Sequence, residues 1–320
     1  MENTEKKDEW SEYKKLIEKV RNEKRYWSLN GKDVLWLPVQ VPQGVTVWSF
    51  LEDLFYKYKH LIRWLDDFTF RFDEQDIEFV DDVCDSLIEV LKQYLTGDVI
   101  KAYKTFSECM DSYIKGFPNK DVENNIVFYR MRKELDLKEE RQFYHLPKSM
   151  RYKCNSERFS IAGYPCFYVG YSKNDCYVEI SKTGSMIGMS LNDDKSLKVF
   201  DLTFSEEQQS GDGLKDYLKA FPLIASCYVV TMNCVEADSA KFREEYVIPQ
   251  MLTSYLKNKG KYDGICYYSV RNENLDTLGR DENDYRNLVL FTDLSSSNAS
   301  DDYDMELMKK FHWYKPFNVK

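Results

Sequence analysis

The feature that most constrains the fold of this chain is a change in hydrophobic spacing near residue 120. Before it, apolar residues recur every three or four positions in separate blocks, which is typical of amphipathic helices. After it, short apolar runs rich in β-branched and aromatic residues alternate with turn-forming residues, which is typical of strands. The sequence therefore predicts an α+β protein, with a helical N-terminal domain over residues 1–120 and a mixed α/β domain over residues 121–320.

Four blocks with helical spacing predict the helices of the first domain. Gly97 follows the third block, and Gly116 and Pro118 follow the fourth, so both blocks end at residues that commonly terminate helices. The blocks run from Trp10 to Val20, Trp48 to Leu65, Val80 to Leu95 and Val99 to Ile114.

In the second domain, composition and turn residues predict both strands and helices. The expected strands are "IVFYRMR", "PCFYVGYS", "LKVFDLTF", "YDGICYYSV" and "NLVLFTD", and the expected helices are "GLKDYLKAFPLIAS" and "FREEYVIPQMLTSYLKNKG". The polar segment 293–304 is expected to form a surface loop before an aromatic C-terminal piece.

Composition excludes several classes of protein. A hydrophobic fraction of 43% in 320 residues is enough for a sizeable core, and a net charge of −9 argues against a nucleic-acid-binding surface. No apolar run approaches the roughly 18 residues that a membrane span needs, so we expect a cytoplasmic protein. The eight cysteines include no C-x-x-C pair and are expected to be free thiols, and the three histidines are too scattered to predict a metal site.

Common catalytic motifs are absent from the sequence. It contains no phosphate-binding P-loop, no G-x-G-x-x-G turn and no G-x-S-x-G elbow. The pair Arg141 and His145 approaches an RNase motif found in some bacterial defence proteins, but its spacing is short and it lies outside the helical domain. We therefore disfavour that interpretation.

A local excess of positive charge separates one segment from the acidic remainder. Between Arg130 and Arg158 there are nine basic side chains against five acidic ones. Guanidinium groups bind phosphate through two parallel hydrogen bonds, so such a segment could hold a phosphate-bearing ligand. Charge alone favours the simpler interpretation, a solvated basic face.

A series of spaced blocks adds to this pattern. These are "FYR" (128–130), "FYHLP" (143–147), "ERFSIAGYPCFYVGYS" (157–172), Glu179, "EEYVIPQ" (244–250), "YDGICYYS" (262–269) and "NLVLF" (287–291). In this order they resemble the RES domain family over about residues 121–295. Members of that family include bacterial toxins that destroy NAD and whose β core is similar to that of ADP-ribosyltransferases.

The resemblance implies a set of functional positions in this chain. Matching catalytic positions are Glu179, Arg158 and Ser269, and matching substrate-binding positions are Arg130, Tyr168, Tyr144 and His145. Tyr144 and His145 match a less general block. Ser160 stands where many members have Asn, and the short toxins of the family lack a helical extension like residues 1–120.

The implied activity is that of an NAD phosphorylase or NAD glycohydrolase. Cleaving the nicotinamide–ribose bond develops positive charge on the ribose, which a carboxylate such as Glu179 would stabilise. The resemblance favours inorganic phosphate as co-substrate, giving ADP-ribose 1″-phosphate, whereas water would give ADP-ribose. NAD is then a substrate, and no cofactor and no metal are expected.

Other interpretations stay open. The protein could instead be an ADP-ribosyltransferase acting on a protein, or an inactive nucleotide-binding module. Without the resemblance, Arg158 and Glu179 would more often form a structural ion pair, and His145 would more often be a core histidine. Besides NAD, the expected partner is a neutralising antitoxin or another regulatory protein, with no nucleic acid and no membrane; self-association into a homo-oligomer stays open.

Overall fold

The computed structural model of the chain describes residues 18, 28–29, 32–65, 72–114, 117, 119–180, 183–203, 213–231, 242–270, 285–295 and 302–319. Its helices are α1 (Val47–Trp64), α2 (Glu74–Leu95), α3 (Val99–Tyr113), α4 (Lys173–Ile180), α5 (Gly213–Cys227), α6 (Val247–Lys259) and α7 (Met305–Met308). Short 3-10 helices cover Glu140–Phe143, Lys148–Lys153 and Glu244–Tyr246.

The strands complete an α+β fold, which confirms the predicted class. They are β1 (Ser28–Leu29), β2 (Lys32–Asp33), β3 (Val39–Val41), β4 (Asn119–Asp121), β5 (Val127–Arg132), β6 (Phe167–Gly170), β7 (Gly184–Leu191), β8 (Lys198–Asp201), β9 (Val229–Thr231), β10 (Gly264–Tyr268), β11 (Arg286–Leu290), β12 (Phe311–Trp313) and β13 (Phe317–Val319). Among the described helices, none is long and apolar enough to cross a membrane.

The chain forms two compact units. The first comprises residues 1–118, 204–240 and 274–278, and the second comprises residues 119–203, 241–273 and 279–320. The segment 204–240, which contains α5, therefore belongs with the helical unit, although the hydrophobic pattern alone placed it in the second domain. The N-terminal part of the first unit ends at residue 118, two residues before the predicted boundary.

Helices α1, α2 and α3 match three of the four predicted blocks. Each begins at a residue whose side chain accepts a hydrogen bond from the first turn: Thr46, Asp73 and Asp98. In α2 this becomes a capping box, because Asp76 accepts in return from the backbone N–H of Asp73. The block from Trp10 to Val20 lies outside the described residues apart from Glu18.

The second unit is built on one mixed sheet. Within the described residues its nine strands follow the order β12, β7, β5, β6, β11, β10, β8 and β4, with β13 also paired to β7. Neighbours are antiparallel except β8 and β10, which are parallel. Strands β5 and β6 share a single described pair, Tyr129 with Gly170.

Strand β7 pairs with β5 on one side and with β12 and β13 on the other, yet it is absent from the strands predicted above. Its sequence, "GSMIGMSL", contains glycine and serine, which lower strand propensity. Gly184 is required by close packing, because a Cβ atom there would lie 2.0 Å from the carbonyl oxygen of Arg132. The contact that explains the glycine belongs to the folded sheet, so composition alone could not identify this strand.

One hydrogen bond inside the first unit compensates for a proline. Pro222 lies within α5 and cannot donate a backbone hydrogen bond to the carbonyl of Leu218, four residues earlier. The buried hydroxyl of Tyr58, on α1, donates to that carbonyl instead. A buried carbonyl without a donor is costly, so Tyr58 stabilises the α5 conformation that Pro222 interrupts.

We expect Tyr58→Phe to lower the free energy of unfolding by about 1–3 kcal/mol, because it leaves the Leu218 carbonyl buried without a donor. Chemical denaturation measures this change. Pro222→Ala restores an N–H at position 222, so Tyr58→Phe should cost less in that background. Tyr56→Phe, at a 66% exposed position of α1, is the control. Equal costs of Tyr58→Phe in both backgrounds would contradict the assignment.

Candidate functional site

The candidate site begins with one face of the strands β6, β11 and β10. Asn287 pairs with both Gly170 and Tyr267, and Val289 pairs with Tyr168. Because side chains alternate between faces along a strand and directly paired residues share a face, Tyr168, Tyr267 and Asn287 project to the same side. Ser269, two residues after Tyr267, follows on that side.

Glu179 reaches this face from α4, in the last turn of the helix. Its Oε1 atom accepts a hydrogen bond from the hydroxyl of Ser269 and another from Asn287 Nδ2, at 3.2 Å. Glu179 is half-buried, and Ser269 is 1% exposed. The predicted strand "PCFYVGYS" ends at Gly170 in the structure, and the helix that follows it carries Glu179.

Arg158 lies on a tight turn that α6 holds in place. Within this turn Glu157 and Ser160 exchange backbone hydrogen bonds. Gln250 of α6 donates from Nε2 to the carbonyl of Glu157 at 2.8 Å and to that of Ser160 at 3.2 Å. Thr253, one helical turn later, donates from its hydroxyl to the Phe159 carbonyl at 2.9 Å. The turn is therefore fixed to a helix of the second unit.

Two guanidinium groups lie over one aromatic ring beside this turn. Arg158 and Arg243 each place their Cζ atom 5.1 Å from the centre of the Tyr246 ring. Arg243 also donates a hydrogen bond to the Tyr246 hydroxyl at 2.9 Å. Cations stack favourably on aromatic faces, so Tyr246 orients both side chains.

Tyr267 lies on the Glu179 side of the sheet and is in contact with the turn that carries Arg158. Burial raises the pKa of Tyr267 well above its usual value; the Glu179 carboxylate raises this pKa further and the Arg158 guanidinium lowers it. Phe159, the neighbour of Arg158 in the turn, packs against the Tyr267 ring with a centroid distance of 4.6 Å. The structure thus brings Arg158 and Glu179, which are distant in sequence, to one side of the sheet.

Arg130 lies on a different side of the sheet from Arg158. Tyr129 shares the Glu179 side of the sheet through its pairing with Gly170, so Arg130, the next residue, projects to the opposite side. Its guanidinium lies 4.8 Å from the centre of the Phe167 ring and donates to the carbonyl of Tyr168. Burial, and secondarily Arg132, lowers the pKa of Arg130. The structure does not bring Arg130 together with Glu179 on one face.

Tyr144 and His145 lie with Arg130 on the core side. His145 is 1% exposed, its Nδ1 donates to the Leu146 carbonyl at 2.8 Å, and its Nε2 accepts from the N–H of Asp304 at 2.8 Å. Burial lowers the pKa of His145. Both ring nitrogens are therefore engaged by backbone groups, as expected of a core histidine. Tyr144 is also buried and donates to Glu140 at 2.9 Å.

Residues absent from the sequence-predicted set complete the arrangement. Asn287 is a second donor to Glu179, and Arg243 and Tyr246 accompany Arg158. Asn287 belongs to the block "NLVLF" and Tyr246 to "EEYVIPQ", so the sequence contained both without indicating their contacts. Together these groups place a carboxylate and a pair of guanidinium groups on one side of the sheet, an arrangement suited to a ligand with one anionic part and one part that becomes positive.

We expect Asn287→Asp to lower the free energy of unfolding by about 1–3 kcal/mol at pH 7.5. The new carboxylate would lie beside Glu179, and repulsion would raise its pKa in the folded state above that in the unfolded state. The stability deficit should therefore shrink as the pH falls toward 4.5. Denaturation at both pH values tests this, with Asn125→Asp, at an exposed position, as control. A deficit independent of pH would contradict the assigned contact.

Comparison with known proteins gives one distant relative. The Bacillus subtilis (strain 168) protein named "Putative toxin YopC" is 24% identical over 267 residues, which cover 73% of this chain and 58% of that protein. The chain therefore spans less than two thirds of the relative's length. No family model matches the chain, and no solved structure matches it. What these comparisons establish is a distant similarity to a protein named as a toxin.

Proposed function

We propose that this protein cleaves the nicotinamide–ribose bond of NAD and transfers the ADP-ribosyl group to inorganic phosphate. The observation that carries the proposal is the Glu179 carboxylate, held by Ser269 and Asn287 on the side of the sheet where Arg158 also lies. The resemblance to the RES domain family supplies the substrate class. The similarity to a protein named as a toxin supports a role as a toxin or defence effector.

Glu179 would act on the ribose as the bond breaks. The C1″–N bond breaks with its electron pair passing to nicotinamide, whose nitrogen becomes neutral, and positive charge develops on the ribose. A carboxylate held in advance stabilises that charge more in the transition state than in the ground state. Because nicotinamide leaves as a neutral molecule, the reaction needs no strong general acid.

Arg158 would bind an anionic group, either the pyrophosphate of NAD or the attacking phosphate. Its turn is anchored by Gln250 and Thr253, and Tyr246 orients its guanidinium, so little side-chain entropy would be lost on binding. Arg243, over the same ring, could assist. Tyr168 would contact the nicotinamide or ribose, and Arg130 would act through the Tyr168 carbonyl to which it donates.

Inorganic phosphate is the proposed acceptor of the ADP-ribosyl group. An oxygen of inorganic phosphate forms the new bond to C1″, and the products are nicotinamide and ADP-ribose 1″-phosphate. A cell that loses NAD in this way would need a neutralising partner during growth, which is why an antitoxin or regulatory protein is part of the proposal.

Purified protein should release nicotinamide from NAD in phosphate buffer, and chromatography measures the nicotinamide formed over time. We expect Glu179→Gln to lower the rate about 10²- to 10³-fold, because the developing positive charge loses its carboxylate. Glu306→Gln changes a glutamate that is 84% exposed on α7 and serves as the matched control. If Glu179→Gln keeps the parent rate, the assigned role of Glu179 is wrong.

Product identity separates the competing hypotheses. Equal rates with and without phosphate, with free ADP-ribose as product, would identify water as acceptor. Label from NAD on a protein would favour an ADP-ribosyltransferase. Tight binding of an NAD analogue without turnover, unaltered in Glu179→Gln, would favour an inactive nucleotide-binding module.

We expect Arg158→Lys to raise the KM for NAD or for phosphate about tenfold, because an ammonium group lacks the two-pronged hydrogen bonding of a guanidinium. Initial rates at varied concentrations of each substrate measure the change. Arg151→Lys, at an exposed arginine of the neighbouring 3-10 helix, is the control. Unchanged KM values for both substrates in Arg158→Lys would count against anion binding at this position.

A further inference from the structure

A fully buried carboxylate connects the start of α4 to the start of β11. Asp175 is 0% exposed and lies one helical turn before Glu179. Its Oδ2 accepts a hydrogen bond from the backbone N–H of Ser172 at 2.7 Å, which fixes the first turn of α4. Its Oδ1 accepts from the backbone N–H of Tyr285 at 2.7 Å, just before β11.

Tyr285 is in turn hydrogen-bonded to Ser269, the residue that follows β10. Its carbonyl accepts a hydrogen bond from the backbone N–H of Ser269 at 2.8 Å. Tyr285 also has a φ angle of +74°, a left-handed conformation that is unfavourable for a residue with a large side chain. Such a conformation persists where surrounding contacts determine it, and the bonds to Asp175 and Ser269 are two such contacts.

We propose that Asp175 is a positioning residue, which sets the Glu179 carboxylate against Ser269 and Asn287 through the backbone of Tyr285. The chain of contacts runs from Asp175 to Tyr285 to Ser269, and Ser269 itself donates to Glu179. Glu179 and Asp175 lie on the same short helix. The helix and the strand ends are therefore joined at two places, by Asp175 at its first turn and by Glu179 at its last.

This inference rests on the proposed function for its effect on rate. Loss of the first junction would let α4 shift relative to β10 and β11, and displacement of a catalytic group by about 1 Å can lower a rate about 10²-fold. Substrate binding by Arg158 does not pass through these contacts, because α6 holds the Arg158 turn. The expected effect therefore falls on kcat rather than on KM.

The first test is Asp175→Asn, which has the same shape but only one acceptor oxygen. Its amide group would face one of the two backbone N–H groups that Asp175 now binds. We expect kcat for NAD cleavage to fall about 10- to 100-fold while the KM for NAD changes less than threefold. The control is Asp263→Asn, because Asp263 also accepts a backbone hydrogen bond, from Lys198 at 2.8 Å, but at the opposite end of β10.

The second test does not depend on enzymatic activity. Amide hydrogen exchange followed by NMR should be at least tenfold faster at Ser269 and Tyr285 in Asp175→Asn, whereas amides in the β5–β7 ladder should be unchanged. Tyr285→Gly accommodates the φ angle of +74° and should keep the protection of Ser269. Tyr285→Val, with a β-branched side chain, should lose it.

The results of these two tests either support or overturn the positioning role of Asp175. Slower turnover with unchanged KM and faster exchange confined to Ser269 and Tyr285 supports the proposal. Unchanged kcat, unchanged exchange at Ser269, or faster exchange throughout the sheet overturns it. If the parent protein does not cleave NAD, the proposed function fails, and the exchange measurements alone then decide whether Asp175 positions Ser269.

Discussion

The candidate site depends on the hydrogen bonds that Ser269 and Asn287 donate to Glu179. A partly buried carboxylate is stable only where donors replace the water it has lost. Here the donors come from two adjacent strands, β10 and β11, and the acceptor comes from α4. The same bonds therefore stabilise the carboxylate and fix its direction, so the position of the Glu179 carboxylate follows from the packing of one short helix on one strand pair.

Arg158 is fixed independently of this junction. Its turn is bound to α6 and contacts two rings on the Glu179 side: Phe159 packs against Tyr267, and the Ser160 hydroxyl lies 3.1 Å from that of Tyr168. Because Arg158 and Glu179 are anchored to different elements, the position of either side chain can change without moving the other. In the proposed reaction this separation suits a substrate whose anionic and reacting parts are several bonds apart, because binding and bond cleavage would then depend on different elements.

Sequence reasoning identified what depends on local pattern and missed what depends on pairing. The helices α1 to α3 follow from apolar spacing, and two positions taken from the family resemblance, Glu179 and Ser269, are joined by a hydrogen bond. Strand β7 was missed because the contact that demands Gly184 lies on β5. Asn287 was missed because its position opposite Tyr267 is a matter of register, which alternation along one strand does not determine.

Register also decides how the basic segment between residues 130 and 158 is divided. Its charge excess suggested one anion-binding cluster, but β5 directs Arg130 and Arg132 to the core side, where burial lowers the pKa of each guanidinium. Arg158 alone of these three lies on the Glu179 side, next to Arg243 from outside the segment. An anion bound near Glu179 would therefore meet a pair of arginines assembled by the fold, rather than the run of charge visible in the sequence.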